Sequence, residues 1–233
     1  MTKFQYHPNI LKKFPEVVGG VILASEMKNG PTPEALKGIY LAEQQAVIAR
    51  IGSTPLSEIG TLTAWRSAFR AFGVNPTQYR SATEALLRRL TKKGDIPNIN
   101  AVVDICNLVS IRYGLPVAAF DTHALTGPIT VQFAQGSEKF TPLFETEAEH
   151  PEPGEVIFAD DAGLVVARRW CWRQSDESAT QPQTTDAVFT VESQHPGGRT
   201  DIEAALADLQ ALLAQFVSGS FLTGIVDAQN PGI

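Results

Sequence analysis

The polar residues of an otherwise apolar helix are the first place in this sequence where chemistry is possible. Between residues 101 and 113, Val102, Val103, Ile105, Cys106, Leu108, Val109 and Ile111 cover nearly the whole circumference of one helix. A helix apolar all round is buried. Asp104, Asn107 and Ser110 interrupt it at three-residue intervals and so lie along one slanted line on its surface. Buried polar groups must be paired, and the partners open to these three are backbone, one another or a bound substrate. Asn107 reads equally as a site residue and as a structural one.

A second possible chemistry is electrostatic. From Arg66 to Lys93, seven basic residues (Arg66, Arg70, Arg80, Arg88, Arg89, Lys92 and Lys93) stand against Glu84 alone, a local balance of +6 in a chain of net charge −6. That total excludes a protein coated uniformly in positive charge, yet leaves one face fit to meet a polyanion. The plainer reading is that Arg88, Arg89, Lys92 and Lys93 fill a last helical turn and complement its dipole. Arg168, Arg169 and Arg173, with Trp170 and Trp172, form a second basic spot. Trp65, Phe69 and Phe72, spaced by four and three, read as a core stripe before they read as a base-stacking platform. Cys106 and Cys171 are too few for a disulfide framework and read as small buried apolar residues. His7, His123, His150 and His195 stand singly, so neither a metal site nor a cofactor is expected.

These groups must be held by something, and the patterning supplies it. Residues 17–26, VVGGVILASE, read as a buried strand in which Gly19-Gly20 marks a bulge or a close backbone approach. Thr32 is placed to cap a helix over 33–51 that Gly52 stops. Another helix is expected from about Leu62 to Phe72. Ser81-x-x-Glu84 reads as a capping box for the next, and Asn98 or Asn100 as the cap of the apolar helix, which Gly114 ends. Val117–Phe120, Ile129–Ala134, Glu155–Asp160, Leu164–Trp172 and Ala187–Ser193 alternate or run apolar between turn residues, as strands of a sheet do. Ser175 to Thr185 reads as a mobile loop, and Thr200-x-x-Glu203 as a capping box opening a final packing helix. The composition, 43% hydrophobic and 19% charged, is that of a globular protein. No run of 18 apolar residues and no secretory signal is visible, so a cytoplasmic protein without membrane contact is expected. No repeat or linker divides the chain, which reads as a single α+β domain over 1–233.

The run NPTQYRS…EALLRRL, then IPNIN, VVDICNLVS, GLPVAAFD and LTGPI, resembles the B3/B4 editing domain of the phenylalanyl-tRNA synthetase beta subunit, and more closely its free-standing relatives. The resemblance covers roughly Thr61 to Ser193. It implies a layered β/β/α arrangement with a large mixed sheet flanked by helices, and hydrolysis of a wrongly attached amino acid from tRNA. No aminoacylation motif is present. In that resemblance Asn107 matches the asparagine of a VTN-type motif and Glu192, in VFTVES, the glutamate that reads the amino-acid side chain. The family histidine of PxHAFD is missing, because PVAAFD puts Ala118 there, and ARRWCWR stands roughly where a Gly-rich segment would be.

An aminoacyl ester is activated, so a pocket that orients water and offers hydrogen bonds to the developing oxyanion suffices without a nucleophilic side chain. On this reading Asn107 orients the water or the carbonyl and Glu192 holds the α-amino group or a polar side chain, with Ser110 and Asp121 in support. Arg80, Arg88, Arg89, Lys92, Lys93, Arg169 and Trp172 would hold the aminoacylated tRNA. Against this, Asp121 could merely cap a turn before His123, and Glu192 could end an exposed strand. Two rival readings remain open: a non-catalytic tRNA- or RNA-binding module, and an amino-acid-binding protein that has lost tRNA.

Overall fold

The computed structural model describes residues 3–233. In chain order its elements are β1 (Phe4–Tyr6), α1 (Pro8–Lys13), β2 (Val18–Ser25), α2 (Glu34–Ile51), α3 (Gly60–Ala71), α4 (Ala82–Lys93), α5 (Ala101–Tyr113), β3 (Val117–Asp121), β4 (Ile129–Phe133), β5 (Val156–Ala159), β6 (Val165–Arg168), β7 (Arg173–Gln174), β8 (Ala187–Ser193), α6 (Gly198–Phe216) and β9 (Ser220–Val226). The strands divide between two sheets. One is antiparallel, in the order β3-β8-β2-β9; the other is mixed, β1-β4-β5-β6-β7, with β1 and β4 parallel.

The period of two along the strands separates two cores. On β8, Ala187, Phe189 and Val191 face α2, α5 and α6, whereas Val188 faces the second sheet. β2 does the same, with Ile22 and Ala24 toward the helices and Val21 toward the sheet. The result is a β/β/α layering. Between the sheets lies an aromatic core of Phe4, Tyr6, Phe120, Phe158 and Trp170, closed by Phe14 beyond α1 and by Trp65 and Phe69 of α3. The α3 aromatics are therefore core: Trp65 is 1% exposed and meets Trp170 edge to face at 5.4 Å.

Several local expectations are corrected. Thr32 does not cap α2, whose N-cap is Pro33 without a side-chain bond; Thr32 Oγ1 donates instead to Asp104 Oδ2 at 2.6 Å. Only half of the first capping box forms. Ser81 Oγ accepts from the Glu84 N–H at 3.3 Å, but the Glu84 carboxylate accepts from Arg66 at 2.6 Å. The last helix starts at Gly198, so Thr200 lies inside it, and Glu203 pairs with Arg199. The Leu164–Trp172 run is broken after Arg168 by a turn in which Arg169 and Trp170 have φ of 44° and 62°. Ser175 to Thr185 is tethered by side chains: Asn29 donates to Gln181 O, Asn100 to Thr180 O and Gln174 to Ser178 O. Sequence reading missed β1, α1 and β9 because three to seven residues beside polar or terminal segments give no periodic signal.

Gly19 and Gly38 make opposite predictions. A methyl on Gly19 would lie 2.6 Å from Tyr6 Oη, whereas one on Gly38, exposed within α2, would meet nothing within 4 Å. Urea unfolding should show Gly19→Ala destabilised by about 1–3 kcal/mol. Gly38→Ala should be stabilised by about 0.5–1 kcal/mol.

Candidate active site

The far end of β8 and the start of β3 form the floor of a cleft. Backbone pairing sets Ala118 opposite Thr190, and the Glu192 N–H donates to Pro116 O, so Pro116, Ala118, Thr190 and Glu192 share one face. α5 supplies one wall through Val103, Cys106 and Asn107. The β6–β7 turn supplies the other through Trp170, Cys171, Trp172 and Arg173. They enclose a cavity of about 200 Å³. A larger hollow of about 470 Å³ lies where Leu23, Asp186 and Phe221 meet, but no such set of buried polar groups converges on it.

Glu192 dominates the cleft. It is 2% exposed, and its Oε1 accepts from Tyr6 Oη at 2.6 Å and from Trp170 Nε1 at 3.0 Å. No ion pair to Glu192 occurs among the described residues. Burial therefore pushes its carboxyl up to about 7, with the Tyr6 and Trp170 hydrogen bonds pulling the other way. Burial and the neighbouring carboxylate in turn push the Tyr6 hydroxyl well above its ordinary range. Among the described residues Glu192 Oε2 has no hydrogen-bond partner, and it is not among the fully buried atoms, which leaves it open to the cleft. Such a group takes a hydrogen-bond donor or an ammonium from a ligand.

The three polar residues of α5 have separate fates. Asp104 is fully buried and satisfied by Thr32, Asn98 and the Ile99 N–H. Ser110 Oγ donates to Leu115 O at 2.7 Å where α5 ends. Asn107 alone lines the cleft, its amide beside the Tyr40 hydroxyl with no well-formed hydrogen bond between them.

Ser110 thus stands outside the cleft, and so does Asp121. Asp121 accepts from the His123 N–H at 2.9 Å and from Thr184 Oγ1, so it caps a turn and ties down the 175–185 loop. Burial alone would raise its pKa, but the bonds from Thr184 and His123 hold it below the ordinary range.

The basic residues also divide. Trp172 lines the cleft, and Arg169 stacks on it with 4.5 Å between guanidinium and ring centre. Arg80 is half-buried with Nε 3.9 Å from Glu84, and Arg89 pairs with Asp95 at 3.5 Å. Arg88, Lys92 and Lys93 are exposed on α4 and, among the described residues, form no ion pair. None of these five reaches the cleft itself, although Ala82 at the start of α4 does. Both cysteines line it, with burial raising the pKa of each thiol, as fits small apolar wall residues.

Sequence reading missed Thr190 as a cleft residue, and it missed the parts that Tyr6 and Trp170 play in holding Glu192. No metal-holding group of three or more His, Cys, Asp or Glu occurs among the described residues, and no described helix is long and apolar enough to cross a membrane.

The profile of the B3/4 domain matches residues 64–212, more than half of the chain. The chain belongs to the B3/4 domain family. Its relatives include the phenylalanine–tRNA ligase beta subunit of Shewanella oneidensis, 37% identical over 94 residues, which are 40% of this chain and 12% of that one. The same subunit of Photorhabdus laumondii is 39% identical over 88 residues, 38% of this chain and 11% of that one. The chain thus matches only a small part of the length of these relatives. An N-terminal fragment of the phenylalanyl-tRNA synthetase beta subunit from Pyrococcus horikoshii superimposes with a TM-score of 0.47 at 11% identity, covering 97% of this chain and 56% of that one.

The B3/4 match contains Asn107, Ala118 and Glu192 but not Tyr6. Glu192 therefore takes one of its two hydrogen bonds from outside the family segment.

The Glu192 environment predicts a pH effect on stability. An unfolded glutamate releases its proton near 4.5, whereas folded Glu192 keeps it to about 7, so ionisation opposes folding. The protonated form's contribution is fully present below about 4.5 and is lost as pH rises through about 7. Unfolding free energies across pH 4.5–8 should show wild type losing about 3 kcal/mol relative to Glu192→Gln. In Tyr6→Phe a carboxyl NMR titration should find the Glu192 midpoint above the wild-type one, because a bond that favours the charged form is gone.

Proposed function

We propose that this B3/4 protein hydrolyses the ester of misacylated aminoacyl-tRNA in trans, with residues 1–233 acting as one unit. The observation that carries the reading is the cleft lined by both Asn107 and a buried Glu192 that, among the described residues, has no cationic partner. The matching relatives are named beta subunits of phenylalanine–tRNA ligase, which supports a tRNA-linked substrate.

The aminoacyl group enters the cleft. Glu192 Oε2 takes its α-ammonium or a polar side-chain hydrogen, and the apolar walls hold the rest. Asn107 has an amide to orient water against the carbonyl or to donate to the oxyanion that forms. The water oxygen bonds to the carbonyl carbon and the ester carbon–oxygen bond breaks; a proton from that water passes by way of the vicinal hydroxyl to the leaving ribose oxygen, giving free amino acid and a restored ribose hydroxyl. Substrate binding excludes bulk water from the cleft, which strengthens each of these interactions. Arg88, Lys92 and Lys93 supply a positive face for the phosphate backbone.

A second reading, binding of tRNA without turnover, is favoured by Ala118. Its methyl group lines the cleft where the resembling domains carry an imidazole, which leaves no titratable group at that point.

Purified protein incubated with a panel of mischarged tRNAs, Tyr-tRNA for phenylalanine included, should release amino acid faster than buffer. Asn107→Ala should lower that rate by about a hundredfold. If no ester is lost, the hydrolase reading fails. Turnover that then appears in Ala118→His, with salt-sensitive binding already present in wild type, would establish the second reading. Lys92→Glu with Lys93→Glu should weaken tRNA binding and reduce its log–log salt slope by about one for each phosphate no longer neutralised.

A further inference from the structure

The turn after β6 sends two tryptophans in opposite directions. Arg169 and Trp170 both occupy the left-handed region, with φ of 44° and 62°, a conformation that costs a non-glycine residue about 1 kcal/mol or more and persists only where its surroundings dictate it. Here Glu155 braces the turn, together with the Trp170 N–H, which donates to Val156 O at 2.7 Å. Glu155 accepts from Arg168 Nε and Nη2, each at 3.0 Å, and from the Arg169 N–H at 2.9 Å. The twist buries Trp170, whose indole holds Glu192, and turns Trp172 outward to the rim.

On the rim, Trp172 belongs to a column. The Arg169 guanidinium lies 3.9 Å from the Tyr79 ring centre and 4.5 Å from that of Trp172, and the two rings meet edge to face at 5.0 Å. Arg173 adds a second guanidinium, 4.7 Å from the Trp172 ring. The two arginines differ. Arg169 is 12% exposed, and burial pulls its pKa down, with Arg168 acting in the same direction. Arg173 is exposed, lines the cleft and, among the described residues, has neither a carboxylate partner nor a side-chain hydrogen bond.

We propose that this column is the seat of a nucleotide, with Arg173 stacking the base at the cleft mouth and meeting its phosphate. A guanidinium backed by an indole is a flat, weakly hydrated cation with N–H groups around its edge. One face of it takes a nucleobase as aromatic rings do, while the edge donates to phosphate. Arg169, wedged and half-neutralised by Glu155 at 3.8 Å, braces the stack and contributes no free face. Tyr79 directly precedes Arg80 and α4, so the column joins the cleft to the basic helix. The proposal deepens the tRNA reading by assigning the terminal nucleotide to residues at the mouth of the aminoacyl cleft.

The test is calorimetric titration of the full chain with AMP, adenosine, ribose 5-phosphate and tyrosine. AMP should bind about tenfold more tightly than ribose 5-phosphate, with adenosine between them. Arg173→Lys, which keeps the charge and loses the plane, should weaken AMP about fivefold at unchanged Tm. The seat is overturned if ribose 5-phosphate matches AMP, if Arg173→Lys binds AMP like wild type, if tyrosine competes for the Arg173-dependent site, or if AMP fails to bind at millimolar concentration. Any of these results alongside intact deacylation leaves the hydrolase standing. Arg173-dependent AMP binding without ester hydrolysis does the reverse, retaining the seat and removing the hydrolase.

Discussion

The hydrogen bonds from Tyr6 and Trp170 to one oxygen of Glu192 are the interaction around which the two sheets are arranged. A carboxylate lifted out of water without a cation is costly, and two donors do not fully compensate it, which is why its proton stays on to about neutral pH. Each donor comes from a different part of the chain. Tyr6 belongs to β1 in the mixed sheet and Trp170 to the turn after β6, while Glu192 ends β8 in the antiparallel sheet. The two sheets must therefore close face to face before the carboxyl has any partner. Gly19 makes room for this, since Tyr6 Oη fills the space its side chain would occupy.

The charged residues around the cleft fall into two kinds. Arg168 with Glu155 and Glu149, and Arg66 with Glu84, are buried or half-buried pairs that fix a turn and a helix start. A buried pair is weak evidence for stability but a strong constraint on geometry, because breaking it strands a charge. Among the described residues Arg173, Arg88, Lys92 and Lys93 have no such partner. The free positive charge of the 66–93 segment is therefore smaller than its residue count implies, because Arg66, Arg80 and Arg89 are drawn into pairs.

Much of the architecture was legible before any coordinates. α2, α4 and α5 begin and end within a residue or two of their expected bounds, because Ser81, Asn100, Gly94 and Gly114 are local signals that act whatever lies around them. Thr32 and Thr200 carried the same signal and were misleading. Thr32 is captured by Asp104, a partner distant in sequence, and α6 starts earlier, at Gly198. Asp104, Asn107 and Ser110 were recognisable as a polar line on an apolar helix. Which of them faced a cleft depended on Thr32, Asn98 and Leu115 satisfying the other two.

Sequence by itself determined the longer helices, most of the strands and the family frame, and it put forward Asn107 and Glu192, both of which line the cleft. These rest on periodicity, capping chemistry and motif order, all of which are written along the chain. Only the tertiary structure decided that Glu192 is a buried acid rather than the end of an exposed strand, that Tyr6 and Trp170 hold it, and that Asp121 and Ser110 serve the scaffold. Burial and hydrogen-bond partnership are relations between segments up to 186 residues apart, the separation of Tyr6 and Glu192. No local pattern encodes which of two sheets will cover a side chain.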